Sequence, residues 1–113
     1  MKFKIHQNRE NWIALGICYP EIVINNKNKF RYYTIGHGVY AISSNGGSWS
    51  HHESSDNNCI KGFTFTESDV IEVKFEPTKL KVLFSTKLEK YELKIKESRS
   101  AFKFCAILYF DGD

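Results

Sequence analysis

Apolar and polar residues alternate with a period of two in one segment after another of this 113-residue chain, and turn formers interrupt the alternation. Ile71, Val73 and Phe75 are separated by Glu72 and Lys74, and Tyr91-Glu92-Leu93-Lys94-Ile95-Lys96 repeats the pattern. Alternate residues of an extended strand point to opposite faces, so each such segment has one face to bury and one to leave wet. A helical period is not sustained for three turns anywhere, and Lys87 to Lys96 fits alternation better than an amphipathic helix. Short strands with turns about every 8–12 residues predict an all-β antiparallel sandwich.

The strands follow in order. Phe3 and Ile5 open the chain, and Trp12 to Cys18 (WIALGIC) is nearly continuous apolar sequence, as in a strand covered on both faces. Pro20 to Lys29 is a polar connection carrying a brief strand at Ile22-Val23-Ile24, and Phe30 to Ile35 is an aromatic strand. Val39 to Ser43 is a central strand that runs into an Asn45-Gly46 hairpin of the primed type, with Trp49 packed beside it. After a polar loop from His51 to Asn58 come Phe63 and Phe65, Val70 to Phe75, Leu80 to Phe84, Tyr91 to Ile95 and Ala101 to Phe110. Turns fall at Glu67-Ser68-Asp69, Pro77-Thr78 and Lys87 to Glu89.

Aromatic residues, 15% of the chain, favour strands over helices. A single domain over residues 1–113 is long enough to bury a core without disulfide staples. Cys18, Cys59 and Cys105 are odd in number, widely spaced and free of CxxC pairs, which predicts reduced thiols and an intracellular, cytoplasmic setting. No apolar run is long enough for a membrane span, and the first residues lack the apolar centre of a secretory signal. A net charge of +3 does not announce a nucleic-acid partner. Lys74 to Arg99 holds eight basic residues against four acidic ones, interleaved with apolar residues as on the solvated face of a strand.

The stretch from Ile35 to His51, IGHGVYAISSNGGSWSH, gathers Gly, His and Ser as an active loop would. Gly36, Gly38, Asn45 and Gly46 are better read as turn formers, so the stretch is diagnostic of fold. With its neighbours it resembles a SPRY (B30.2-type) domain, closest to those of B-box and RING-type proteins in protozoa. Phe3-Lys4-Ile5 with Trp12 to Ile17 is similar to that family's opening strand pair, and Val39 to Gly46 to its aromatic strand and hairpin. Ser68-Asp69-Val70-Ile71 resembles its Gly-Asp-Val-Ile step, Leu80 to Phe84 its strand ending in Phe, and Phe104 to Leu108 its Tyr-Pro-Ala-Val strand. Ser68 and Glu72 stand where that family has glycine, Ser85-Thr86-Lys87 lacks the common Asn-Gly, and the closing strand is expected to be cut short at Asp113.

Catalytic and metal chemistry find weak spacing. His51, His52, Cys59 and His37 contain the donor types for zinc, but adjacent residues of an extended strand point apart. Cys18 and Cys105 lie in apolar strands, Cys59 has no identifiable base, and a GxSxG elbow is absent. No cofactor and no enzyme activity are expected.

The resemblance implies a non-catalytic module that recognises a partner protein or peptide through loops at one edge of the sandwich, as in the substrate-recruiting domain of a ubiquitin ligase. The positions nearest that family's contact regions are Tyr32 and Tyr33, the turn Tyr109-Phe110-Asp111-Gly112, and a polar rim at Asn26 and Asn28. Two alternatives stay open: a structural subunit held through a broad surface, and a jelly-roll lectin or metal-dependent enzyme with His51 and Cys59 in a cleft.

Overall fold

An alternating strand gathers its apolar side chains on one face, which strands of its own sheet cannot cover, so two such sheets bury their apolar faces against each other. The computed structural model describes residues 1–5, 12–25, 35–96 and 102–109. Their strands are β1 (Lys2–Lys4), β2 (Trp12–Cys18), β3 (Val39–Ser43), β4 (Asn45–Trp49), β5 (Cys59–Thr64), β6 (Val70–Glu76), β7 (Lys81–Ser85), β8 (Lys90–Lys94) and β9 (Lys103–Tyr109). They form an antiparallel four-stranded sheet, β1-β6-β7-β8, and an antiparallel five-stranded sheet, β5-β4-β3-β2-β9. The predicted all-β sandwich is the fold.

The main core lies between the sheets. Leu15, Ile17, Tyr40, Ile42 and Phe63 of one sheet meet Ile71, Val73, Val82, Phe84 and Leu93 of the other, all buried. The opposite faces differ. On the four-stranded sheet Lys2, Glu72, Lys74, Lys90, Glu92 and Lys94 are exposed, the solvated face expected of that charge pattern. On the five-stranded sheet a second apolar cluster forms around Ala14, Cys18, Val39, Ala41 and Trp49, so β2 and β3 are covered on both faces. Trp12 meets Trp49 edge to face, with ring centroids 5.8 Å apart.

Glycine makes the centre of this sheet possible. A Cβ on Gly16 would collide with the Tyr40 carbonyl oxygen on the neighbouring strand, so only hydrogen fits there.

Three local expectations change. The segment Ile22-Val23-Ile24 is not a strand but part of helix α1 (Pro20–Asn25). Pro20 is pre-set for a first helical turn, and the Tyr19 carbonyl accepts from the amides of Ile22 (3.1 Å) and Val23 (3.2 Å). Packing then outweighs β propensity: Ile22 joins the main core and Val23 the second cluster, leaving Ile24 exposed. The β3–β4 hairpin is not a two-residue primed turn. Ala41 faces Trp49 and Ile42 faces Ser48, a register that leaves Ser44, Asn45 and Gly46 as the connection. Gly46 alone of these has positive φ (+89°), as in three-residue loops, and the Asn45 Oδ1 accepts from Ser43 Oγ (2.6 Å) and the Gly47 amide (3.3 Å). Finally, Tyr109 is the last residue of β9, opposite Trp12, rather than part of a turn.

Candidate functional site

At the end of the sandwich where β2 and β4 finish and β3 begins, a cleft of about 300 Å³ is lined by Tyr19, Ile35, Gly36, Tyr40, His51, His52 and Lys96. Its parts come from five places in the chain: just after β2, the approach to β3, β3 itself, just after β4, and just after β8. A larger hollow of about 440 Å³ lies between the turns at Ser68–Val70 and Thr86–Leu88, but only turn tips line it. The first cleft has aromatic and imidazole walls held on β3 and at the ends of β2 and β4, the mix that small binding sites use.

Two glycines shape the turn before β3, and Gly36 lines the cleft. Gly36 (φ +88°) and Gly38 (φ +87°) adopt backbone conformations that side chains disfavour, as the turn reading requires. Gly38 also sits against α1, where a Cβ would lie 3.0 Å from the Ile22 side chain. The turn is tied on both sides: the Gly36 amide donates to the His51 carbonyl (2.8 Å) and the Tyr19 amide to the Gly38 carbonyl (2.8 Å).

The histidines are bound into this frame rather than exposed on a loop. The Gly38 amide donates to His51 Nδ1 (2.9 Å), which places the ring proton of neutral His51 on Nε2. His52 Nδ1 and the Tyr40 hydroxyl hydrogen-bond at 2.9 Å. Strand alternation does not separate His51 from His52, because β4 ends at Trp49 and both line the cleft. His37 is buried. Its Nδ1 accepts from the Val39 amide (3.1 Å), and its Nε2–H donates to Asn57 Oδ1 (2.7 Å). Burial holds the His37 imidazole below the usual histidine pKa, partly opposed by the Asn57 hydrogen bond.

Asn57 closes the loop after β4. Its Oδ1 also accepts from the Ser50 amide (3.1 Å), and its Nδ2 donates to the carbonyls of Ser50 (2.7 Å) and Glu53 (3.1 Å). The buried carboxamide thereby fixes the segment that carries His51 and His52.

The aromatic wall is a stack across the sheet. Tyr19 lies on Phe102 with centroids 4.2 Å apart, and meets the His51 ring edge-on at 5.1 Å. The Tyr40 ring approaches Phe102 at 6.0 Å and His52 at 5.7 Å. Among the described residues, Lys96 supplies positive charge to the lining and none of the lining is acidic.

Of the contact positions expected from sequence, Asn26, Asn28, Tyr32, Tyr33, Phe110, Asp111 and Gly112 lie outside the described residues, and Tyr109 is placed by its backbone only. The zinc donors do not assemble: among the described residues, no three His, Cys, Asp or Glu side chains come together as a metal would need. Cys59 Sγ instead contacts the carbonyls of Ser55 (3.0 Å) and Asn57 (3.2 Å). Sequence reasoning passed over Tyr19, Tyr40 and Lys96. Tyr40 read there as an ordinary strand aromatic, Tyr19 fell between the strand ending at Cys18 and the connection from Pro20, and the one available signal was the pair of glycines flanking His37.

No protein-family model, curated protein or solved structure matches the chain. Among the described residues, no helix is long and apolar enough to cross a membrane.

Proposed function

We propose that this chain is a non-catalytic recognition module that takes a short segment of a partner protein into the cleft at the end of the sandwich. The observation that carries the reading is the wall itself: Tyr19, Tyr40, His51 and His52 are all presented there by strands and hydrogen-bonded loops. A site ordered before binding spends little entropy on capture, and the buried rings of Tyr19 and Tyr40 form a rigid backing for the half-buried His51 and His52. His37, His51 and His52 each use a ring nitrogen within the fold, which suits a scaffold role better than proton transfer. With Lys96 at the cleft and no carboxylate among the described lining residues, a segment bearing an acidic side chain is favoured over a basic one. The SPRY resemblance, with substrate recruitment for a ubiquitin ligase, belongs to this same proposal, as does an intracellular location.

The test is selection from a displayed peptide library on the intact chain, followed by affinity measurement with Tyr19→Ala, His51→Ala and Lys96→Glu variants. Peptides rich in acidic residues whose binding falls at least about tenfold, roughly 1.4 kcal/mol, in all three variants support the reading. Peptides that bind all variants equally, or no selected peptide at all, sink it.

The second reading, a subunit held through a broad surface, rests on edge strand β9, where Phe104 is 40% exposed. Chemical cross-linking that maps a partner to β9 and leaves the cleft unprotected would favour it.

A further inference from the structure

We propose that the outer face of the four-stranded sheet docks the chain onto an anionic lipid surface, with Leu88 at its rim entering the headgroup layer. This docking is independent of what the cleft binds.

The strand register lays the face out row by row. Lys2, Glu72, Ser85 and Lys90 stand side by side across β1, β6, β7 and β8. The next row is Lys74, Leu83 and Glu92, and the third is Glu76, Lys81 and Lys94. On the other side of the first row Lys4 pairs with Val70. Alternate strand positions share a face, and the positions between these, such as Ile71, Val73, Val82, Phe84 and Leu93, fill the core. The outer face thus carries six lysines against three glutamates, an excess equal to the +3 net charge of the whole chain. The remaining charges sum to zero, so the surplus resides on one face.

Lys81 is held by Glu92 at 3.1 Å, and Glu76 by Lys79 at 3.5 Å. Lys2, Lys4, Lys74, Lys90 and Lys94 are exposed and form no ion pair among the described residues.

Apolar surface lies at one end of the same face. Leu88, in the turn between β7 and β8, is 94% exposed, and Val70 at the start of β6 is 45% exposed. The two line one hollow with Lys87 and Asp69, whose carboxylate accepts from the Thr66 amide (2.7 Å). The turn presenting Leu88 is held in shape. Thr86 Oγ1 accepts from the amides of Leu88 (3.2 Å) and Glu89 (3.1 Å), and the Thr86 amide donates to the Glu89 carbonyl (2.9 Å). Lys87 and Glu89 flank Leu88 and offset each other in charge, so the tip contributes apolar surface.

A bilayer is the occupant this chemistry fits. Lysine is a point charge that needs no matched geometry, and clusters of it are drawn to anionic headgroups. The face has no arginine to grip a phosphate with two bonds and no aromatic side chain on which a base could stack. An exposed leucine gains by entering the headgroup boundary, a gain that a nucleic-acid backbone does not offer. Leu88 precedes β8 and Lys96 follows it, so the docking end and the cleft lie at opposite ends of that strand. A docked chain keeps its cleft open to solution.

The experiment pellets the folded chain with vesicles of phosphatidylcholine, alone or mixed with phosphatidylserine. Binding is expected to the mixed vesicles alone and weakens as salt is raised. Lys74→Glu and Lys90→Glu should each lower it at least about fivefold, whereas Lys103→Glu, the same change of net charge on β9, should leave it within about twofold. Leu88→Ser should lower binding with the salt dependence unchanged, each variant being shown folded by its thermal transition. No pelleting with the mixed vesicles, equal pelleting with neutral ones, or an equal loss in Lys103→Glu overturns the proposal. So does unchanged binding by Leu88→Ser, or duplex RNA that captures the chain at a salt concentration where the vesicles release it.

Discussion

The imidazole of His37 and the carboxamide of Asn57 meet at 2.7 Å inside the protein, joining the turn before β3 to the loop after β4. Together with the bonds from the Gly36 and Gly38 amides to His51, this contact holds the cleft's histidines in place. The Asn57 side chain makes four hydrogen bonds, two through oxygen and two through nitrogen.

Replacing Asn57 with Ala would strand the His37 Nε2–H, the Ser50 amide and two carbonyls. The expected loss is about 1–3 kcal/mol in urea unfolding, the cost of buried groups left unpaired. Asn57→Asp keeps the acceptor and forfeits both donated bonds, so it should also destabilise at neutral pH. A variant as stable as the wild type would show that the loop is held by something else.

Acid should destabilise the fold through His37. Its folded pKa is depressed by burial, so the unfolded chain binds a proton that the folded one declines. The stability it contributes is complete above the ordinary histidine pKa of about 6.5 and is lost as the pH falls from there through the lower folded value. Denaturation midpoints measured from pH 7.5 to 5 should drop, and the drop should be shallower in His37→Gln. Equal slopes for both proteins would remove His37 from the account.

Gly16→Ala should be among the most damaging single substitutions in the sheet. The new Cβ collides with the Tyr40 carbonyl oxygen, and backbone cannot move aside as a side chain could. A cost of at least about 3 kcal/mol is expected, at the upper end of overpacking effects. Thermal unfolding reads it directly.

Ser68→Gly should stabilise. Ser68 sits at φ +75° in the turn before β6, exposed, with its amide bonded to the Ile5 carbonyl. Glycine adopts that conformation without the Cβ penalty, which exceeds glycine's extra entropy loss. A gain of about 0.5–1 kcal/mol is expected from a shift in denaturation midpoint at unchanged slope. This is the position where the family resemblance expects glycine.

Tyr40→Phe removes one hydroxyl bonded to His52 while keeping the buried ring. Stability should fall by about 0.5–1.5 kcal/mol, as for a single hydrogen bond. Affinity for any cleft-binding peptide should fall as well, because His52 loses its anchor. A stability loss with unchanged affinity would place His52 outside the binding surface.

Much of this molecule was legible before any coordinate. Ile71, Val73 and Phe75 announce an inward face by alternation alone, and Val39 to Ser43 was recognisable as a central strand. These features are local: a residue's neighbours two positions away say which face it shares. Ile22-Val23-Ile24 failed for the same reason. Its β-branched side chains speak for a strand, but Pro20, the Tyr19 carbonyl and the packing of Ile22 and Val23 made a helix. The hairpin loop was found but its length was not, since the register of Ala41 with Trp49 depends on both strands at once.

The amino-acid sequence by itself determined the all-β class, the turn glycines at 36, 38 and 46, and the solvated charge pattern of β6 to β8, because each follows from short-range periodicity and backbone freedom. The tertiary structure alone decided that Tyr19, Tyr40, His51, His52 and Lys96 share one cleft, and that His37 is buried against Asn57. Those pairings join residues far apart in the chain. Strand order and register set them, and neither quantity is encoded in any single segment.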